Sequence, residues 1–233
     1  MKKPYLSVIV PVYNERGTIE SLINEVQKVE LEKEIIIIDD ASSDGTRQLI
    51  EKLKGPNIKK IYHEKNQGKG AAIRSALEFI EGEFVIIQDA DLEYHPDEYS
   101  QLIEPIVKGR ADVVFGSRFI GPHRCFLFYH YLGNKVVNLI ANLLYNTMLS
   151  DFMTCYKVFR SSLIKDIEIT ANRFGFEAQI TGEVFLRNQR VYEVPVSYSG
   201  RNYSEGKKIK WTDFFVTVYW LIKTRLKKVK NNA

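Results

Sequence analysis

Short apolar runs alternate with amphipathic stretches along the first half of the chain. The runs cover residues 6–10, 34–38, 58–62, 83–87 and 112–115, and most are rich in Val and Ile. Continuous β-branched runs of this length predict strands buried on both faces, as in a parallel sheet. The stretches near 18–30, 44–54, 69–80 and 97–108 carry apolar residues at helical spacing. Ser43 or Asp44 offers a cap to the second, and Pro96 with Asp97 and Glu98 opens the fourth. Strand and helix in regular alternation imply right-handed crossovers and a sheet covered on both sides.

Each run stops in a polar cluster: Pro11-Val12-Tyr13-Asn14-Glu15, then Asp39-Asp40, Gln88-Asp89-Ala90-Asp91 and Gly116-Ser117-Arg118. In such sheets ligands bind beyond the carboxyl ends of the strands. Clustered acids there predict a binding site, which ordinary turns would not require.

The second half has another texture. Residues 126–149 are apolar and helical, with Asn134, Asn138, Asn142 and Asn146 every fourth position as one polar stripe. Strand-like 156–159 and 191–196 flank a helix near 172–188. A last helix, 211–226, is apolar over a wide face and ends in Lys227, Lys228 and Lys230. It reads either as an interfacial helix with a basic anchor or as a terminal helix packed on the core. The uncharged stretch 136–150 is too short to span a bilayer. The N-terminal run is interrupted by Pro11 and followed by no small-residue cleavage site, so it reads as the first strand, not a signal peptide.

Composition changes this picture in one respect. Apolar residues at 45% and charged residues at 27% are ordinary for a globular protein. Charge, however, is asymmetric. Residues 201–233 hold nine Lys or Arg against Glu205 and Asp213, a net +7, which leaves −3 for residues 1–200. A basic tail implies an anionic partner such as phosphate or a membrane surface. No interleaved aromatic and basic surface suggests nucleic acid. Cys125 and Cys155 have neither metal spacing nor a disulfide framework, and the chain is expected to be cytoplasmic. The four histidines have no ligand spacing.

Candidate chemistry gathers at the strand ends. Asp89 and Asp91 follow a strand at i and i+2, so in extended backbone both carboxylates would face one cation. Hard oxygen ligands suit Mg²⁺ or Mn²⁺ bridging to phosphate. A lone pair of this kind is also a common pair of loop acids. Asp40 ends the second strand, where an acid often takes ribose hydroxyls, and also where turn acids occur. Asn66-Gln67-Gly68-Lys69-Gly70 opens a helix whose N-terminus and Lys69 favour an anion, or it is a plain glycine turn. Glu177 begins a helix, Asp151, Lys157 and Arg160 lie where the apolar helix returns, and Arg201, Lys207 and Lys208 share a Gly- and Ser-containing loop.

Together PVYNE (11–15), DDASSDGT (39–46), NQGKGAA (66–72), QDAD (88–91) and GSRF (116–119) resemble inverting family 2 glycosyltransferases of the GT-A fold. The likeness runs from residue 7 to about 211. DFMTCYKVFR (151–160) and VPVSYSGRNYSEGKKIKW are similar to the dolichol- or polyprenol-phosphate hexose synthase branch, with Thr154-Cys155-Tyr156 where that branch often has a Gly-Phe pair.

The resemblance implies a mainly parallel α/β catalytic domain over 1–210 and an amphipathic helix with a basic tail over 211–233. It implies that Pro11, Tyr13, Glu15 and Asp40 hold the nucleoside and that Lys69 sits near the donor. Asp89 and Asp91 would bind Mg²⁺ or Mn²⁺ and the diphosphate. Arg118, Arg201 and Lys207 would meet phosphates. Asp151, with Glu177, would supply a carboxylate near the attacking group. The implied partners are a nucleotide-sugar donor, a lipid-phosphate acceptor, the cytoplasmic membrane face, and another copy or subunit at 126–149. The alternative reading is a soluble transferase acting on a sugar hydroxyl. A nucleotidyltransferase would need a glycine-rich basic loop after the first strand, and a regulatory module would not need QDAD with a full second half.

Overall fold

The computed structural model describes residues 5–125, 127–173, 175–201 and 212–227. Seven strands form one sheet: β1 Leu6–Val12, β2 Lys33–Asp39, β3 Ile58–Tyr62, β4 Phe84–Ile87, β5 Val113–Ser117, β6 Lys157–Arg160 and β7 Val191–Pro195. Their spatial order is β3-β2-β1-β4-β6-β5-β7. All neighbours run parallel except β6, which pairs antiparallel with both β4 and β5. The expected mainly parallel sheet is therefore present, with one reversed strand that periodicity did not distinguish.

The helices are α1 Ile19–Lys28, α2 Thr46–Lys52, α3 Lys69–Ala76, α4 Tyr99–Val107, α5 Phe128–Tyr145, α6 Ser161–Asp166, α7 Gly175–Leu186 and α8 Thr212–Arg225. Alternate strand residues divide between two cores. Val8, Val10, Ile35 and Ile37 pack with α1 and α4 on one face, while Ile9, Ile36, Ile38 and Val85 pack with α3 and α7 on the other. Burial on both sides explains the unbroken Ile and Val runs.

Chain order reverses at β1, which has β2 on one side and β4 on the other. This is the switch point where such sheets open a crevice. Pairing of β1 with β4 ends at Ile9–Ile87, two residues before Pro11, so a residue with no amide to donate is tolerated there. The turns leaving β1, β2 and β4 hold Asn14, Ala41 and Leu92 at φ of 53°, 61° and 60°. A left-handed Ala or Leu costs about 1–2 kcal/mol, and such strain collects at functional sites.

The outer helices turn out inverted. In α5 the Asn stripe faces inward: Asn138 and Asn142 donate to Leu149 O (2.6 and 2.9 Å) and accept from Phe152 N and Leu149 N. Its apolar side, with Tyr129, Leu132, Leu139 and Leu143, faces outward. Similarly, α8 buries Thr217, Leu221 and Thr224 and exposes Phe215, Tyr219, Ile222 and Leu226. Gly175 and Gly182 of α7 let α8 and Tyr145 approach, for a Cβ at either would lie within 2.4 Å of Trp220 or of Tyr145 Oη. No helix among the described residues is long and apolar enough to cross a membrane.

Candidate donor and metal site

The loops after β1 and β2 are laced together by their motif residues. Asn14 N donates to Ser42 Oγ, Ser43 N to Asn14 Oδ1, Glu15 N to Thr46 Oγ1 and Arg16 N to Asp44 Oδ2. Asp44 also accepts from the Thr46 amide at the start of α2. Asp39 accepts from Ser42 N and Arg47 Nε. The short polar residues of these motifs thus shape the rim of the crevice. Tyr13 stands there, 40% exposed.

Asp40 has a different task from the one expected of it. Its Oδ1 accepts from Gln67 N and meets His63 Nδ1 at 2.7 Å, while Oδ2 accepts from Gly68 N. Buried, with both oxygens engaged, it anchors the glycine turn. His63, for which spacing suggested no role, bridges Asp40 to Ser75 Oγ. The glycines also serve packing: a Cβ on Gly68 or Gly70 would lie 2.4 or 1.9 Å from the carbonyl oxygens of Asn172 or Ala171. Close backbone approach is what they permit, but the approaching backbone belongs to the chain itself.

That turn aims Lys69 at the site. Its Nζ lies 2.6 Å from Asp89, 3.1 Å from Glu177 and 3.0 Å from Cys155 Sγ. The other Glu177 oxygen is 2.6 Å from Lys157, a wholly buried lysine on β6. A chain of alternating charge results: Asp89 and Lys69, both partly exposed, lead into the buried pair Glu177 and Lys157. Burial alone would lower the Lys69 pKa, yet the facing charges, Asp89 foremost, hold it well above its usual value. Burial likewise opposes the charge on Asp89, and Lys69 overcomes it, lowering that carboxyl's pKa. Burial raises the Cys155 thiol. A Glu177 clasped by two lysines is poorly suited to take a proton from a substrate.

Asp91 is met by another cation. β4 ends at Ile87, and Ala90 and Asp91 lie in a turn, so the extended geometry expected to aim both carboxylates at one cation does not hold. Arg201 Nη2 lies 3.1 Å from Asp91, and Nη1 lies 3.2 Å from Glu15. Glu93, which sequence reasoning passed over, binds the Arg201 amide (2.8 Å) and the Tyr198 hydroxyl (2.6 Å). Burial, then the charges of Asp89 and Glu93, push the Asp91 carboxyl up to about 7 despite Arg201. Asp91 is thus the acid whose charge its guanidinium partner leaves incompletely compensated, and a divalent cation fits it. No group of three or more acids, histidines or cysteines among the described residues would enclose a metal. That suits Mg²⁺ or Mn²⁺ completing its shell with water and phosphate oxygens.

Arg118 and Asp151 form a third element. Asp151, 1% exposed, accepts from Arg118 Nε (2.7 Å), Nη2 (2.8 Å) and N (3.0 Å). A carboxylate in a bidentate guanidinium clasp is not a waiting base, so the expected role near the attacking group does not match this geometry. It holds Arg118 over the Tyr198 ring, 5.1 Å away, and Tyr198 connects through Glu93 to Asp91. Gln88 braces the floor by accepting from the Tyr99 and Tyr156 hydroxyls. Lys207 lies outside the described residues.

Known proteins resemble this chain in sequence and in fold. The dolichol-phosphate mannosyltransferase of Pyrococcus furiosus is 28% identical over 211 residues, 87% of this chain and 58% of its own. Glycosyltransferase AglJ of Haloferax volcanii is 27% identical over 196 residues, 83% of this chain and 63% of its own. An undecaprenyl-phosphate 4-deoxy-4-formamido-L-arabinose transferase of Edwardsiella ictaluri is 28% identical, covering 87% of this chain and 62% of its own. The chain therefore spans roughly three fifths of these curated relatives' length. Among solved structures, glucosyl-3-phosphoglycerate synthase from Mycobacterium tuberculosis, in complex with Mn²⁺, UDP and phosphoglyceric acid, superposes with a TM-score of 0.75. It is 19% identical, over 97% of this chain and 80% of that one, and shares the fold. The family model described as glycosyl transferase family 2 matches residues 7–168, and the chain belongs to that family.

Proposed function

We propose that the chain transfers a hexose from a nucleotide sugar, UDP-glucose or GDP-mannose, to a polyprenyl or dolichyl phosphate, with inversion at the anomeric carbon. Three of the relatives above support this reading by family or by name, two of them being lipid-phosphate sugar transferases. The observation that carries the acceptor class is the state of the two candidate bases. Asp151 is clasped by Arg118 and Glu177 by Lys69 and Lys157. A sugar hydroxyl must lose its proton to a base, whereas a lipid phosphate is already ionised. Its oxygen attacks the anomeric carbon as the bond to the diphosphate breaks, and catalysis is positioning plus charge stabilisation.

Residue roles follow. Pro11, Tyr13 and Glu15 line the nucleoside side of the crevice, with Asp40 shaping it from beneath. Asp91, with Asp89 beside it, holds Mg²⁺ or Mn²⁺, which neutralises the departing diphosphate. Lys69 orders Asp89, and Arg118, Arg201 and Lys207 meet phosphates. Residues 1–210 act as the catalytic unit. Residues 211–233 serve as its membrane-facing helix and basic tail, and the outward apolar sides of α5 and α8, with Lys223 and Lys227, rest on an anionic membrane surface.

The test is a transfer assay with labelled UDP-glucose or GDP-mannose, Mn²⁺ and a short polyprenyl phosphate. Label entering the organic phase, and absent with Asp91→Ala, is the expected result. Metal-dependent donor hydrolysis without lipid labelling would overturn the acceptor class and turn the search to hydroxyl acceptors.

A further inference from the structure

Two cations serve the two acids of QDAD, and they are anchored differently. Their side chains are similarly exposed, Lys69 at 18% and Arg201 at 20%, but Lys69 continues into the buried Glu177–Lys157 pair, whereas the ion-pair partners of Arg201 are acids of the crevice rim. Around Arg201 three carboxylates converge: Glu15 at 3.2 Å, Asp91 at 3.1 Å and Glu93 at 3.5 Å. Among the described residues, one guanidinium serves all three acids.

Backbone contacts hold this guanidinium in position. Glu93 takes the Arg201 amide and its own carbonyl accepts from Ser199 N, so the chain is pinned beside the QDAD loop from both sides. Arg201 Nε is buried and has no hydrogen-bond acceptor. A guanidinium partly exposed on a rim that also bears Tyr13 can meet a further anion.

We propose that Arg201 is an internal competitor of the metal. In the donor-free protein it neutralises Asp91, Glu93 and Glu15, and the site takes up a divalent cation well only when a nucleoside diphosphate draws the guanidinium onto its phosphates. This rests on the reading of Asp91 as the metal-binding acid. The cation and the diphosphate then bind with positive coupling, and linkage makes the coupling reciprocal: each tightens the other by the same factor. The chemical logic is an exchange of partners. Asp91 trades a guanidinium for the metal, and Arg201 trades carboxylates for phosphate.

Mn²⁺ binding to the intact chain tests this directly, through the electron paramagnetic resonance signal of free Mn²⁺ and with no turnover involved. The metal is titrated alone, then with UDP or GDP. Wild type should bind Mn²⁺ weakly alone and about tenfold or more tighter with the preferred nucleotide, within the usual range of such couplings. Arg201→Ala should bind Mn²⁺ about tenfold tighter than wild type in the absence of nucleotide and gain less from adding it. Arg201→Lys, which retains the charge, should stay near wild type. Arg201→Gln, close in volume, repeats the test should the alanine variant fold poorly. Unchanged or weaker nucleotide-free binding in both neutral variants would overturn the proposal. The Asp91→Ala, Arg201→Ala double variant separates it from the reading beneath it. Loss of the gained affinity keeps the metal at Asp91, and its survival would remove the metal from Asp91 and the competitor with it.

Discussion

Asp89 and Asp91 stand two residues apart, yet the regions that neutralise them are built on opposite principles. Asp89 faces Lys69, which leads through Glu177 to Lys157 inside the packing of α3, β6 and α7. Lys157 is 0% exposed and Glu177 3%. Asp91 faces Arg201 on the crevice rim, shared with Glu15 and Glu93. The buried side is part of the fold, since each charge depends on the next for the solvation that burial removed. The rim side can exchange partners with water and ligand at modest cost. In the proposed reaction, a site that releases a diphosphate every turnover benefits from having both: one acid held still, the other with a partner that can leave.

Four experiments would break or sharpen that contrast. The largest effect is expected from Asp91→Ala, which should lower kcat/KM for transfer by about a thousandfold, the scale of losing one strong electrostatic contact to the developing charge. Activity within tenfold of wild type would remove Asp91 from the chemistry. Next comes stability. Lys157→Met strands the Glu177 carboxylate beside a single lysine and should cost about 3–5 kcal/mol in urea unfolding, with much of it restored in the Lys157→Met, Glu177→Gln double variant. Arg201→Ala should cost about 1 kcal/mol or less, as partly exposed pairs do. Equal losses would mean that the two regions are not different in kind.

A third measurement uses pH. The proposed metal site needs the Asp91 carboxylate, whose pKa is raised to about 7. Mn²⁺ affinity should therefore rise with pH from about 6 to 8 and level off above. Between its ordinary value near 4 and about 7, this carboxyl holds more proton folded than unfolded, so its contribution to stability falls as pH rises and Mn²⁺ should counter the fall. A flat affinity across that range would show that Asp91 is not raised. The smallest intrinsic effect is expected far from the site. Leu139→Glu with Leu143→Glu, at positions 59% and 75% exposed, should shift stability by about 0.5 kcal/mol or less per site. The pair should still abolish sedimentation with anionic vesicles. A large loss of stability would instead mean that these side chains are packed.

Much of the frame was legible beforehand. The runs at 6–10, 34–38, 58–62 and 83–87 became β1 to β4 almost residue for residue. Strands β1, β2 and β4, buried on two faces, leave little choice but Ile and Val, while the edge strand β3 is only half-buried and carries Lys59 and Lys60. The polar clusters after β1, β2 and β4 did mark the crevice. The reversed strand β6 was not legible, since a four-residue strand has the same pattern in either direction. For α5 the stripe of asparagines was found, but a stripe does not say which side faces in. Here the asparagines satisfy the backbone returning at 149–152, and the apolar side is left outside.

Residue types at the strand ends, and their order, belong to the sequence alone. They were enough for the fold class and the family, because local backbone preference and the doubly buried pattern act within short windows. What each charged group does was decided only by tertiary structure. Asp40, Asp151 and Glu177 look from the sequence like acids awaiting a substrate, and folding gave each a partner 20 to 33 residues away: Gln67 and Gly68, Arg118, Lys157. Glu93 and Arg201 are 108 residues apart and meet at the same acid. The reason is electrostatic. A charge's state depends on what lies within a few ångströms of it once water has been excluded, and that neighbourhood is assembled from segments no local pattern connects.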